Sequence, residues 1–230
     1  MNLTNINWGA VLIQFAVLLF SLSIHEAAHA WMADRRGDHT ARYMGRVSLN
    51  PAAHADPIGT ILFPLLNMIM SLPLIGWAKP VPVNPLHLKD PSRDQMYISL
   101  AGPGANLLAG LGAFILLLLL KKLVPGVGLL ILNMAYTMKI TGGGSIITPL
   151  VGLLFFLMII NFMLAIFNLL PVPPLDGHWI LAGLLPPGAA ESFQRFGRYG
   201  IFILYGLMFL GIFRILLIPV GWLLQLLLIL

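Results

Sequence analysis

His25, Glu26 and His29 fall in the pentapeptide HEAAH, residues 25–29 of a 230-residue chain. Residues four apart share a face of a helix. The two imidazoles can therefore each give one nitrogen to a single Zn²⁺, and Glu26 is placed beside them to act as general base on the attacking water. Ala27 and Ala28 leave room for an ion and a substrate. The chain has only two glutamates, Glu26 and Glu191, and one lies inside this pattern. The alternative is structural: two histidines hydrogen-bonded between helices, with Glu26 as their partner.

A catalytic zinc takes three protein ligands and keeps one position open. His39, His54, Asp56, His87, Asp176 and His178 are the candidates for the third. Asp176 stands out because FNLLPVPPLDGHW, 167–179, breaks away from an apolar run. Pro171, Pro173 and Pro174 end or kink a helix there, and Gly177 permits a tight turn beside the carboxylate. On residues alone, Asp176 is equally well a cap for a helix over 177–185.

The segments that must position these groups are apolar. Hydrophobic residues make up 59% of the chain and charged residues 9%, against about 25% charged in a soluble domain. This predicts an all-α integral membrane protein, a polytopic helical bundle forming one domain over 1–230. The formal net charge is +5, but the basic residues are dispersed among apolar segments, which argues against a nucleic-acid partner. Without cysteine, thiolate metal sites and disulfides are excluded. Apolar runs are expected at 8–33, 57–77, 96–120, 146–170 and 199–230, the last broken by Arg214, Pro219 and Gly221. A Gly-rich, weakly apolar stretch that includes TGGGS, 141–145, precedes the fourth. No basic region precedes the first run, which argues against a cleaved signal peptide.

If His25, His29 and Asp176 meet, the ends of the first and fourth runs lie on one side of the membrane. That parity requires one intervening run to turn back. The run at 57–77, interrupted by Pro64, Asn67 and Pro73, suits a re-entrant segment. Seven Lys/Arg then fall within 34–94 on the side of the site and three within 121–145 on the other, so the site faces the cytoplasm. GRVSL (45–49) and KPVPV (79–83) have the alternation of short strands, and a membrane-associated β-hairpin is expected there, although on residues alone a plain connecting loop fits them equally. The edge of such a hairpin could hold an unwound segment of another chain.

The chain resembles the site-2 proteases, intramembrane zinc metalloproteases. The resemblance is carried by HEAAH, GRVSLNPAAHADPIGT (45–60), GWAKPVPVNP (76–85), SLAGPGANLLAG (99–110) and NLLPVPPLDG (168–177), in that order. It implies one Zn²⁺ bound by His25, His29 and Asp176, with Glu26 as the general base. It further implies that Asn168 positions the substrate, a transmembrane segment of another protein in the bilayer. No PDZ or CBS domain is visible, so the likeness is to a compact form, and it implies regulated intramembrane proteolysis in the cell membrane. Two other readings use the same residues: a membrane zinc peptidase acting on small or lipid-linked substrates, and a non-catalytic metal carrier that has no need of Glu26. Elsewhere, Asn106 is a candidate for a bond across helices, AGPGAN for close helix packing, and His54 and Asp56 for a turn. Arg195 and Arg198 are read as surface anchors, and His39 and His87 as loop residues.

Overall fold

A computed structural model describes residues 7–70, 76–140 and 146–230. Among the described residues, three helices are long and apolar enough to cross a membrane: α1 (Trp8–Arg36), α5 (Pro91–Leu123) and α7 (Ile147–Asn168). Between α1 and α5 lie three short helices, α2 (Thr40–Tyr43), α3 (Pro51–His54) and α4 (Phe63–Met70), with a π-helical turn at Pro57–Leu62 leading into α4. The short α6 (Val127–Thr137) joins α5 to α7. After α7 come α8 (Asp176–Leu184), α9 (Pro187–Arg195), α10 (Gly200–Phe209), α11 (Phe213–Leu216) and α12 (Ile218–Ile229).

The ends of the spanning helices are written in local chemistry. Asn7 caps α1 by accepting the Ala10 N–H, and Gly37, at φ 106°, closes its other end. There the Gly37 N–H donates to Asp34 O and the Asp38 N–H to Ala33 O, the pair of bonds that satisfies the last carbonyls of a helix. Asp90 caps α5 through the Arg93 N–H, and Pro91 opens it, where no N–H is needed. Pro103 inside α5 removes the donor that the Ser99 carbonyl would otherwise meet.

α1, α5 and α7 pack as antiparallel neighbours, α1 against α5 and α5 against α7. Away from the site, the core is Leu117, Ile131, Met134, Phe155 and Met158, all fully buried, with Leu227 of α12 against them. In a bilayer, such contacts hold helices by close packing and interhelical hydrogen bonds rather than by expelling water. Lys121 closes the far end by donating to the Leu227 and Leu228 carbonyls, at 3.0 and 2.7 Å. These are C-terminal carbonyls of a helix with no partner of their own.

Four expectations need correction or extension. No β-strand forms among the described residues, so GRVSL and KPVPV do not make a hairpin. Pro80 and Pro82 strip alternate N–H groups from 79–83, and the Lys79 N–H is taken by the His54 carbonyl at 2.9 Å. Arg46, buried, reaches the Ala53 and Lys79 carbonyls with its side chain, and that contact takes the place of a strand pair. The fifth run breaks at Gly211, not first at Arg214. Gly211, at φ 71°, donates to Met208 O while Ile212 donates to Leu207 O, which ends α10. Pro219 instead opens α12. The stretch after α5 contains α6, which was not foreseen. TGGGS, 141–145, lies outside the described residues.

Residues 71–75 of the second run also lie outside them. The described part, 57–70, is at most about 21 Å long at 1.5 Å per residue, short of the ~30 Å hydrocarbon core. The Trp77 N–H donates to Gly59 O at 3.2 Å, and Thr60 Oγ1 donates to Trp77 O at 2.8 Å. The two ends of the run are therefore side by side. Asp56 starts it by accepting the Ile58 and Gly59 N–H groups, the turn role expected of it.

The chain beyond residue 77 is tied to the end of α1. Asp38, fully buried, accepts the Asn84 N–H at 2.7 Å, the His87 Nδ1–H at 3.0 Å, and both the N–H and hydroxyl of Thr40. Burial alone would raise its carboxyl, but these donors outweigh it and hold the pKa at about 2. His39 likewise meets Asp34 at 2.7 Å, beside Arg42. The loop histidines are thus structural rather than idle.

Candidate active site

His25 and His29 lie one turn apart near the end of α1, both buried. The antiparallel α5 runs past them in the opposite direction. His29 faces Ile98, His25 faces Asn106, and Asn106 continues to Ser21.

The hydrogen bonds fix the ring tautomers. Carbonyl oxygens only accept, so His29 Nδ1 donates to Ile98 O at 2.7 Å. Asn161 Nδ2 donates to Leu157 O and to Ser21 Oγ, both at 2.8 Å, which turns its oxygen toward Asn106. Asn106 Nδ2 donates to that oxygen at 2.7 Å and to Ser21 O at 3.1 Å, which turns its own oxygen toward His25. His25 Nδ1 must then donate to Asn106 Oδ1 at 2.5 Å. In their neutral form both imidazoles then carry the lone pair on Nε2.

Asp176 brings the third donor. It is the first residue of α8, and no side-chain cap hydrogen bond starts that helix. Its Oδ2 lies 3.0 Å from His25 Nε2, and its Oδ1 lies 3.3 Å from His29 Nε2. Oδ2 is buried with no hydrogen-bond partner among the described residues. Ligand atoms of His25, His29 and Asp176 all lie within 4.8 Å of one another. With both imidazoles neutral, two Nε2 lone pairs face a carboxylate, and a cation shared among the three groups, whether a proton or a metal ion, relieves that conflict. The donor set of two nitrogens and one oxygen thus fits a metal ion. His39, His54, Asp56, His87 and His178 are outside this group.

Two glycines make the approach possible. A Cβ on Gly102 would sit 2.4 Å from His29 Nε2 and 2.7 Å from His25 Nε2. A Cβ on Gly177 would sit 2.3 Å from the Leu169 and Leu170 carbonyls, so only glycine lets the start of α8 lie against the end of α7. The sequence signal for Gly102 was present in AGPGAN, but it read as helix packing. Its actual neighbours are the two imidazoles.

The three residues stand in the wall of a cleft of about 570 Å³. Glu26 lines it, and among the described residues no hydrogen bond or ion pair occupies its carboxylate. Asn168 lines it too, with its Nδ2 donating to Leu164 O at 2.9 Å. Trp77, Pro80, Val81 and Val83 of the extended segment also line it.

The family described as "Peptidase family M50" matches residues 13–211. The chain belongs to that family. This M50 member is 37% identical over 192 residues to a Bacillus subtilis (strain 168) protein named "Putative zinc metalloprotease YwhC", which covers 84% of this chain and 77% of the relative. It is 30% identical over 203 residues to "Putative zinc metalloprotease Rip2" of Mycolicibacterium smegmatis, covering 87% of this chain and 68% of that one. No solved structure matches. The likeness to site-2 proteases seen in the motifs therefore extends over most of the M50 chain.

His54 and His178 take other places in it. His54 Nε2 donates to the Ser48 carbonyl at 2.7 Å, buried beneath the 45–54 turn. His178 stacks on Phe193 with ring centroids 4.8 Å apart. Arg195 pairs with Glu191 on α9, and Arg198 lies over the Tyr199 ring.

Proposed function

We propose that the chain is an intramembrane zinc endopeptidase that hydrolyses peptide bonds in transmembrane segments of other membrane proteins. The supporting observation is the convergence of His25 Nε2, His29 Nε2 and an Asp176 oxygen on the wall of a cleft between membrane-length helices. Two histidines and one carboxylate match the ligand set of a catalytic zinc, and three protein ligands leave a position open. A zinc ion held there would supply a Lewis acid and lower the pKa of water toward about 7.

The chain's own groups do the rest. Glu26, unoccupied in the cleft, takes the proton of the attacking water and delivers it to the leaving amine. Asn168 offers an amide to the substrate backbone or to the developing oxyanion. The Asn106–Asn161–Ser21 chain holds His25 in the tautomer that keeps Nε2 available. A substrate helix must unwind before its peptide bonds can react. Among the described residues, no hydrogen bond engages the N–H groups of Val81 and Val83, and these can pair with an extended substrate.

The reading also includes a re-entrant second segment, supported by its length and by the meeting of residues 59–60 with residue 77. It places the site on the cytoplasmic side of the cell membrane, supported by the basic residues of 34–94. Cysteine placed at Leu86 or Tyr43, 91% and 83% exposed, should react with an impermeant maleimide from one and the same side. Cysteine at Lys139 should react from the other, because neighbouring Ile140 meets Asn7 at the far end of α1. Labelling of Leu86 and Tyr43 from opposite faces would show that the second segment spans.

The function is tested by reconstituting the zinc-loaded protein with a panel of single-span proteins and mapping the scissile bonds by mass spectrometry. Cuts confined to soluble flanks, or to lipid-linked peptides, would overturn it. The ligand set is tested by Asp176→Asn, which keeps the shape and removes the anionic oxygen. The variant should insert and fold normally yet lose its zinc on dialysis against a chelator that the wild type withstands. Zinc held as tightly as before would remove Asp176 from the site.

A further inference from the structure

α1, α5 and residues 47–49 line a second, open hollow that includes neither His25 nor His29. It is an apolar groove of about 930 Å³ with a floor of small residues, among them Ala27, Ala28, Ala101 and Gly104. Trp31 and Tyr97 close one end. Each carries an arginine: the Arg35 guanidinium lies 5.2 Å from the Trp31 ring centroid, and that of Arg36 lies 4.0 Å from the Tyr97 centroid. Arg36 is paired with Asp94 at 3.5 Å. Arg35 is exposed and has no carboxylate partner among the described residues.

Tryptophan and tyrosine settle at the headgroup level of a bilayer, and arginine there attracts anionic lipid. The groove thus joins an acyl-sized trough to an unneutralised cation at the depth where a phosphate lies. We propose that it binds one anionic phospholipid, with an acyl chain along Ala28 and Gly104 and the phosphate against Arg35 above Trp31. The charge pattern selects this occupant over a protein helix. A single-span helix carries Lys and Arg at its cytoplasmic end, and that end would meet Arg35, whose charge no carboxylate among the described residues offsets, whereas Arg36 and Arg42 are paired with Asp94 and Asp34. A second copy of the chain would bring the same arginine against its own. A lipid phosphate complements it. The site is separate from the peptidase cleft, and its occupancy rests on the cytoplasmic placement proposed for Arg35 and not on peptidase chemistry.

The test uses the full-length protein in mild detergent, titrated with dioleoyl-phosphatidylglycerol or dioleoyl-phosphatidylcholine, with bound lipids counted by native mass spectrometry. The wild type should retain one phosphatidylglycerol at a concentration about fivefold lower than phosphatidylcholine requires, the factor one interfacial arginine contributes. Arg35→Gln should erase that preference. Gly104→Phe should abolish retention of either lipid, since a Cβ there meets no atom within 4 Å and the ring has only the groove to fill. Ala28→Leu fills the same groove from α1 and should act alike, so a folding failure of one variant leaves the other decisive. Equal retention of the two lipids by the wild type would overturn the proposal, as would unchanged lipid counts in both filled variants. Loss of a dimer, or of cross-linking to a single-span peptide, with lipid counts unchanged would assign the groove to a second copy or a helix instead.

Discussion

Glu26→Gln should retain zinc at the wild-type level while cleavage falls roughly 10²–10⁴-fold, the usual contribution of a positioned proton carrier. The amide has nearly the shape of the carboxylate and cannot accept the water proton. Glu26 is not among the three groups whose donor atoms converge, so metal binding should not register its loss. Nor does its carboxylate hold any described residue in place, so stability should stay close to wild type. Zinc content, thermal unfolding and turnover measured on one preparation separate the possibilities. Loss of zinc together with activity would make Glu26 a ligand. Turnover near wild type would remove its role as base and favour a protein that merely carries metal.

The pairing of His25 with His29 in the candidate metal group was legible in the sequence because their spacing is local. Spacing of four on a helix sets the relation of His25 to His29 wherever that helix lies, and the Pro-rich turn before Asp176 announces that a carboxylate leaves the helical path. Whether Asp176 capped a helix or faced the histidines was not legible. Both readings use the same turn, and only the position of α8 relative to α1 decides between them. Asn106 could be picked out as a polar residue in an apolar run, but its partners Asn161 and Ser21 lie 55 and 85 residues away in sequence. No local pattern encodes that meeting.

The strand expectation failed for a related reason. Alternation in KPVPV describes which side chains share a face, yet pairing needs backbone donors, and the prolines remove them on one edge. The remaining edge is drawn to the His54 carbonyl by Lys79. A short segment with strand periodicity becomes a strand only when a partner competes successfully for its N–H groups. Here the buried Arg46 side chain occupies the place where that partner would lie. Gly211 shows the converse. Its left-handed conformation is strongly encoded by residue type, but inside a long apolar run a lone glycine is easily outweighed by the continuity around it.

Gly102 carries the other large effect, and two glycines on α5 provide a matched comparison. In Gly102→Ala the new methyl would lie 2.4 Å from His29 Nε2 and 2.7 Å from His25 Nε2. Either contact is too close to persist, so the rings must move. They cannot move freely, because the Nδ1 of each is committed to Ile98 O or Asn106. The methyl therefore strikes the two nitrogens that carry lone pairs and forces the loss of an orienting bond as well. Zinc affinity should fall by at least the roughly 10–100-fold seen when ligand orientation is lost, and cleavage should fall with it. The helix itself should not suffer, since alanine is better than glycine inside a helix by about 0.5–1 kcal/mol. Gly104→Ala makes the same chemical change two residues along, where the added Cβ meets no atom within 4 Å. It should keep both zinc and turnover. Equal effects of the two substitutions would mean that α5 responds to backbone stiffness rather than to a methyl among the ligands. Wild-type zinc affinity in Gly102→Ala would show that His25 and His29 do not meet over Gly102 as described.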